Sequence, residues 1–208
     1  MGHAHSHDGP VEYNDVQFGK ASPGKIGMWL ALGTDALSFS GFLIAYAVLR
    51  AGAEGNWPDP VKALGGVELS GFMTFLLICS SVSMVLSIDA CKNRDRQGML
   101  NWLLATIFGG AAFLGLQVYE YSHLINDMGM TFSTYAHGNN LFASTFFAIT
   151  GFHGLHVLSG VIYLIVMYVL AYRGDFDNGD YNMLEIAGLF WHFVDLVWIL
   201  VFTFVYLL

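Results

Sequence analysis

The sequence predicts an all-α integral membrane protein, a single five-helix bundle with its N-terminus inside and its C-terminus outside. Three observations carry that reading. Hydrophobic residues make up 55% of the chain and charged residues only 12%, about half the share a soluble domain uses to cover its surface. Five apolar segments, at 26–50, 67–90, 99–122, 141–172 and 184–208, are each long enough to cross a bilayer. None alternates with a period of two, which disfavours a transmembrane barrel.

Residues 1–24 form a polar tail without the apolar stretch of a signal peptide, so the first helix is expected to direct insertion. The tail is expected to be cytoplasmic. His3, His5 and His7 within it could hold a divalent metal weakly, but read more readily as a tail or a cloning remnant. The remainder, 25–208, is the membrane domain.

The first helix, 26–50, carries Asp35 about ten residues in. The second, 67–90, carries Cys79, with Cys91 just past its end. At 1.5 Å per residue the two thiols sit about 18 Å apart, too far to bond, and they read as small buried residues. The third, 99–122, holds Gly109, Gly110, Ala111, Ala112 and Gly115, a run that permits close helix approach. Glu120 and His123 end it near the outer interface, where solvated helix-end residues are the simpler reading and a buried network the other. The fourth, 141–172, holds Gly151 and Gly154 with His153 and His156. The fifth, 184–208, holds His192 and Asp195, flanked by Trp191 and Trp198. Those two indoles could donate to the Asp195 carboxylate, or simply pack. Trp29, Trp102, Tyr119, Tyr121, Tyr168 and Tyr172 lie toward helix ends, as aromatic belts do.

The linkers 51–60, 91–98, 123–140 and 173–182 collect the turn formers and charges. Lys20, Lys25, Lys92, Arg94, Arg96 and Arg173 fall on the side of the N-terminus, whereas only Arg50 and Lys62 fall on the other. The positive-inside rule sets the orientation from that bias. The net charge of −8 and the scatter of basic residues over separate linkers exclude a nucleic-acid patch.

Asp35, His192 and Asp195 lie about 12–17 Å into their helices by the same rise per residue, near the midplane of a hydrocarbon core about 30 Å thick. His153 and His156 sit near the middle of the fourth helix. Each of the pairs His153/His156 and His192/Asp195 is spaced i,i+3 and shares one helix face. The result is an expected polar layer at mid-depth. It can be a structural hydrogen-bond network, a proton-carrying chain, or a set of haem or metal ligands. His-x-x-His alone, without carboxylates at defined spacing, is a poor metal signal.

Ser144-Thr-Phe-Phe-Ala-Ile-Thr-Gly-Phe-His-Gly-Leu-His156 resembles the penultimate-helix signature of cytochrome c oxidase subunit III. Trp191-His-Phe-Val-Asp-Leu-Val-Trp198 resembles the run in that family's last helix, and Gln117-Val-Tyr-Glu-Tyr121 the end of the helix before those two. Lys25-Ile-Gly-Met-Trp29 is similar to the lead into the family's five-helix core, so the resemblance brackets 25–208. The chain looks like the short five-helix bacterial form, without the first two helices of the mitochondrial type. Those helices wall a lipid-filled cleft in longer members, so a phospholipid site here would need a neighbouring subunit or be incomplete. Asp35 stands where the family usually has a membrane-buried Glu.

The resemblance implies an accessory, non-catalytic subunit in aerobic electron transport, multi-pass in the bacterial inner membrane, with no active site, haem, copper or other metal of its own. Haem and copper would belong to partner subunits I and II. The chain would pack on subunit I, protect it during turnover and support proton uptake, with Asp35 and Glu120 as its buried, proton-related carboxylates. Bound phospholipid and assembly into a respiratory supercomplex are compatible with it. It also favours the structural reading of the polar layer, as hydrogen bonds locking the first, fourth and fifth helices. The alternatives are subunit III of a quinol oxidase or a homologue associated with nitric-oxide reductase. From a different class, the chain could be a free-standing proton-conducting or haem-binding membrane protein.

Overall fold

A computed structural model describes residues 22–53, 55–136, 138–177 and 180–208. The expected tail, with His3, His5 and His7, lies outside the described residues except for its last three positions, which cap and begin the first helix. The described residues contain no β-strand, only an isolated bridge between Met130 and Tyr135.

The described residues form six α-helices, in order α1 Pro23–Gly52, α2 Pro60–Ala63, α3 Glu68–Lys92, α4 Arg96–Asn126, α5 Asn140–Arg173 and α6 Asn182–Val201. The chain then continues as a π-helical turn, Phe202–Leu207. Among the described residues, five helices are long and apolar enough to cross a membrane: α1, α3, α4, α5, and α6 together with the π turn. Their apolar windows have mean hydropathies of 1.5–2.1.

Local chemistry sets the ends. Ser22 accepts from the Lys25 amide ahead of Pro23, Asp95 accepts from the Gly98 amide, and Asn139 accepts from that of Leu141. These side chains satisfy amides that a helix start leaves without partners. Gly174 closes α5 in the left-handed region at φ +93°, which glycine adopts without strain. The hairpin between α3 and α4 takes only three residues, and its middle residue, Arg94, sits at φ +57°. Between α1 and α3, at the end of the expected 51–60 linker, lies the short α2, started by Asp59 and Pro60. α4 extends by about a turn at each end beyond the apolar run, with Asp95 capping its start.

α3, α4, α5 and α6 close a ring in which each helix packs on the next, and α1 lies outside against α5 and α6. The core of the ring is filled by Met73, Leu77, Leu103, Phe113, Phe146 and Trp191, among other buried side chains. Small residues let the helices close. A Cβ on Gly109 would lie 2.7 Å from that of Ser80, and one on Gly110 would lie 2.7 Å from Val161 Cγ2 and strike the Trp191 ring. By contrast, a Cβ on Gly115 would meet nothing. α1 docks through a narrow seam, Leu32, Phe39 and Tyr46, spaced seven apart. That spacing keeps one stripe of a helix against its neighbours.

At the end where α1 begins, Glu185 of α6 pairs with Lys25 of α1 and, at 3.2 Å, with Lys92 of α3. Ser22 donates to Asn182 at 2.9 Å, and the Lys92 ammonium lies 4.6 Å from the centre of the Tyr181 ring. Arg96 meets Asp177 at 3.5 Å and donates to the Tyr172 carbonyl. Three helices are therefore pinned at one membrane surface through a single carboxylate.

Candidate functional site

Asp35 of α1 and His156 of α5 face each other, Oδ2 to Nε2, at 3.5 Å. His156 Nδ1 lies 2.9 Å from the Phe152 carbonyl. A carbonyl only accepts, so Nδ1 carries a hydrogen and Nε2 is left to the carboxyl. One further proton can then sit on either side of the contact, giving a neutral acid–imidazole pair or an ion pair. The pair is only partly covered, with side-chain exposures of 31% for Asp35 and 16% for His156.

His153, one turn earlier on α5, is fully buried. Its ring stacks on Trp198 at 5.0 Å and meets Phe113 edge-on at 5.8 Å. Neither ring nitrogen has a hydrogen-bond partner among the described residues. His153 and His156 thus share a helix and a contact with the Phe39 ring, but only His156 reaches a carboxyl.

On α6, His192 Nδ1 lies 2.5 Å from the Ser81 hydroxyl of α3. Asp195, one turn further along α6, has its Oδ1 buried without a hydrogen-bond partner among the described residues. The two indoles do not donate to Asp195. Trp191 donates to Ser80 at 3.1 Å and Trp198 to Thr74 at 2.9 Å. Side chains on one helix face project toward the neighbouring helix, and there α3 presents hydroxyls within reach.

Glu120 is not a solvated helix-end residue. α4 runs on to Asn126, so Glu120 lies more than a turn inside it, 7% exposed, and accepts from the Tyr206 hydroxyl at 2.9 Å. The π turn brings Tyr206 over it, packed on Phe146 and Trp198. His123 does lie at the exposed end, 2.6 Å from Asp127. Tyr121, expected in a belt, turns inward to the Thr150 hydroxyl at 2.7 Å, beside Gln117, which donates to the Thr150 carbonyl at 2.8 Å. Trp29, Trp102, Tyr119 and Tyr172 are exposed. Of the two free cysteines, Cys91 is buried but Cys79 is exposed, because it falls on the outward face of α3.

The expected single layer therefore resolves into separate ties: α1 to α5, α3 to α6, α4 to α5, and α4 to the C-terminal turn. Of the expected lock, the α1–α5 contact forms, whereas the α6 groups reach α3 instead. The hydroxyls of α3 were not singled out in the sequence. Ser80, Ser83 and Ser87 fall at i, i+3 and i+7 and are all buried. Ser83 bonds Thr106 of α4 at 2.8 Å, and Ser87 donates to the Met99 carbonyl at 3.1 Å. That spacing on one face was the available signal.

Fold and site define a polytopic helical membrane protein whose intramembrane polar side chains tie its helices together in pairs. Among the described residues, no three His, Cys, Asp or Glu side chains converge as a metal-binding group. The profile of the family described as cytochrome c oxidase subunit III matches residues 17–208. The cytochrome c oxidase subunit 3 of Alkalihalophilus pseudofirmus is 36% identical over 88% of this chain and 85% of its own length. That of Synechocystis sp. is 36% identical over 100% of this chain and 81% of its own. The cytochrome bo(3) ubiquinol oxidase subunit 3 of Pseudomonas putida is 35% identical over 88% and 84%. The chain belongs to the cytochrome c oxidase subunit III family. It is accordingly subunit III of a haem–copper oxidase, a multi-pass bacterial membrane protein that associates with other oxidase subunits.

Proposed function

We propose that the chain is the non-catalytic subunit III of an oxidase driven by cytochrome c. It packs on subunit I, which with subunit II holds the haem and copper, and it stabilises subunit I and supports proton uptake there. The match over residues 17–208 carries the reading. The cytochrome c oxidase subunits among the relatives favour the donor. Asp35, paired with His156, and Glu120, under Tyr206, are the carboxyls through which a proton-related role would run; His153, His192, Asp195, Trp191 and Trp198 hold the bundle. The 1–24 tail is cytoplasmic, and bound phospholipid is compatible with the apolar grooves around α1.

The experiment is a mild-detergent purification of this chain from its native membrane. Oxidase activity is assayed with reduced cytochrome c and with quinol, and a reduced-minus-oxidised spectrum is recorded. Activity with cytochrome c, and a haem spectrum that stays with a co-purifying subunit I, is the expected result. A chain that comes out alone, or carries its own haem signal, overturns the reading. The 35% identity to the Pseudomonas putida protein gives the second reading, a ubiquinol oxidase subunit III. Activity with quinol and none with cytochrome c would establish that instead.

A further inference from the structure

Between α4 and α5 lies a groove of about 290 Å³ with no α1 residue in its walls, close to the small end of the roughly 300–1,000 Å³ usual for ligand pockets. Leu114, Gln117 and Tyr121 of α4 line it with Gly151, Gly154 and Leu158 of α5. The two helices run antiparallel, so Tyr121 and Gly151 mark the end toward α2, and Leu114 and Leu158 the end toward mid-membrane. At 1.5 Å per residue, Gln117 lies about 9 Å and Gly154 about 4 Å from the middle of its helix. Both depths fall well inside the half-thickness, about 15 Å, of a hydrocarbon core.

The polar atoms at this groove have spent every hydrogen they own. Gln117 Nε2 donates to the Thr150 carbonyl at 2.8 Å and to the Tyr121 hydroxyl at 3.3 Å. A carbonyl only accepts, so the atom facing it must be the amide nitrogen, and Oε1 is left on the other side. The Thr150 hydroxyl donates to the Phe146 carbonyl at 2.7 Å, so Tyr121 donates to Thr150 Oγ1. No described residue donates to Gln117 Oε1, although the side chain is only 4% exposed. Gly154 keeps that oxygen open: a Cβ there would sit 2.7 Å from it.

The occupant must therefore bring a donor, within about 10 Å of mid-membrane, on a body slim enough to lie over two glycines. A buried acceptor without a partner is costly, and a phospholipid does not supply one at this depth. Its ester oxygens only accept, and its donors stay with the headgroup outside the core. A sterol hydroxyl rests at the same interface. A hydroquinone meets each condition: its ring is flat, its hydroxyls donate, and an isoprenoid tail keeps it within the hydrocarbon. The groove matches that polarity, with the open acceptor toward the α2 end and leucines toward mid-membrane.

We propose that the α4–α5 groove binds an isoprenoid quinol, its ring over Gly151 and Gly154 and one hydroxyl donating to Gln117 Oε1. Such binding holds whichever donor drives the oxidase. The test places p-benzoylphenylalanine at Leu155, an exposed residue on the groove wall, and separately at Phe108, which is exposed away from it. The full chain is expressed in its native membrane, irradiated under reducing conditions, purified and weighed. The expected result is an adduct with the mass of the chain plus the quinol, severalfold more abundant from Leu155 than from Phe108. Oxidising the membrane first should lower it, because a quinone carries acceptors only. Gly151→Leu should lower it severalfold as well, since a Cβ there makes only ordinary contact, 3.7 Å from the Tyr121 hydroxyl, while the longer side chain fills the slot. Phospholipid, sterol-type or polypeptide adducts alone at Leu155 overturn the proposal, as does a quinol adduct that Gly151→Leu leaves unchanged. A chain that carries the quinol adduct but purifies with no oxidase subunit overturns the proposed function and leaves the groove standing.

Discussion

Glu120 and Tyr206 show how much one contact can decide. The Tyr206 hydroxyl is the partner that Glu120 finds inside the bundle. A buried polar group that loses its partner costs about 1–3 kcal/mol, whereas exchanging one acceptor for another costs far less. Tyr206→Phe should therefore lower the thermal-inactivation midpoint of the purified complex, and Glu120→Gln, which keeps an acceptor, should lower it less. Equal losses from the two variants would mean that the hydrogen bond is not what holds the C-terminal turn. Glycines give a second contrast at this scale. Gly110→Ala forces a methyl against Val161 and Trp191, an overpacking worth about 1–3 kcal/mol. Gly115→Ala enters open space and should be neutral or slightly stabilising. Thermal inactivation of the two variants side by side checks this. The glycine run was legible in the sequence, but which of its members touch a neighbour was not. That depends on helix rotation, which a run of small residues leaves free.

Between elements, the tie of α3 to α6 is the densest, with Ser80, Ser81 and Thr74 each meeting a side chain of α6. Lipid supplies no hydrophobic force between helices, so packing and hydrogen bonds must hold them. Measured bonds of this kind average about 0.6 kcal/mol, with a maximum of about 1.7. A double-mutant cycle of Trp191→Phe with Ser80→Ala, read by unfolding in detergent, should give a coupling in that range. A coupling near zero would show that the indole acts by packing alone. The five spans were legible because length and hydropathy alone specify them, and their ends shifted by at most about a turn, at Ser22 and Asp95 through side-chain caps. The pairing of polar groups was less legible. Asp35, His192 and Asp195 stand out by charge, but serine and threonine are nearly neutral in hydropathy. The α3 hydroxyls that answer α6 therefore left no mark on the apolar profile. Trp191 and Trp198 were legible as neighbours of Asp195 along the helix, yet their N–H groups reach the next helix, where acceptors stand at hydrogen-bonding distance.

For the molecule as a whole, the bundle has two chemically different ends. Lys25, Lys92, Arg94, Arg96 and Arg173 lie at the end where α1 begins, while Arg50 and Lys62 lie at the other. Glu185 neutralises part of the first group, since it pairs with both Lys25 and Lys92. Topology follows the count of Lys and Arg near the spans, to which acidic residues contribute little. The end with Glu185 is thus expected to face the cytoplasm and α2 the outside. Asp175 and Lys62 are exposed at the two ends and suit a labelling test. With Cys79 and Cys91 replaced by Ala, Lys62→Cys should react with a membrane-impermeant maleimide in intact spheroplasts. Asp175→Cys should react only in inverted vesicles. The reverse pattern would invert the protein and place the Glu185 clamp outside. Any proton entering from the cytoplasm would then first meet the α2 end of the bundle, where Glu120 lies beneath Tyr206, rather than the Lys25–Glu185–Lys92 surface.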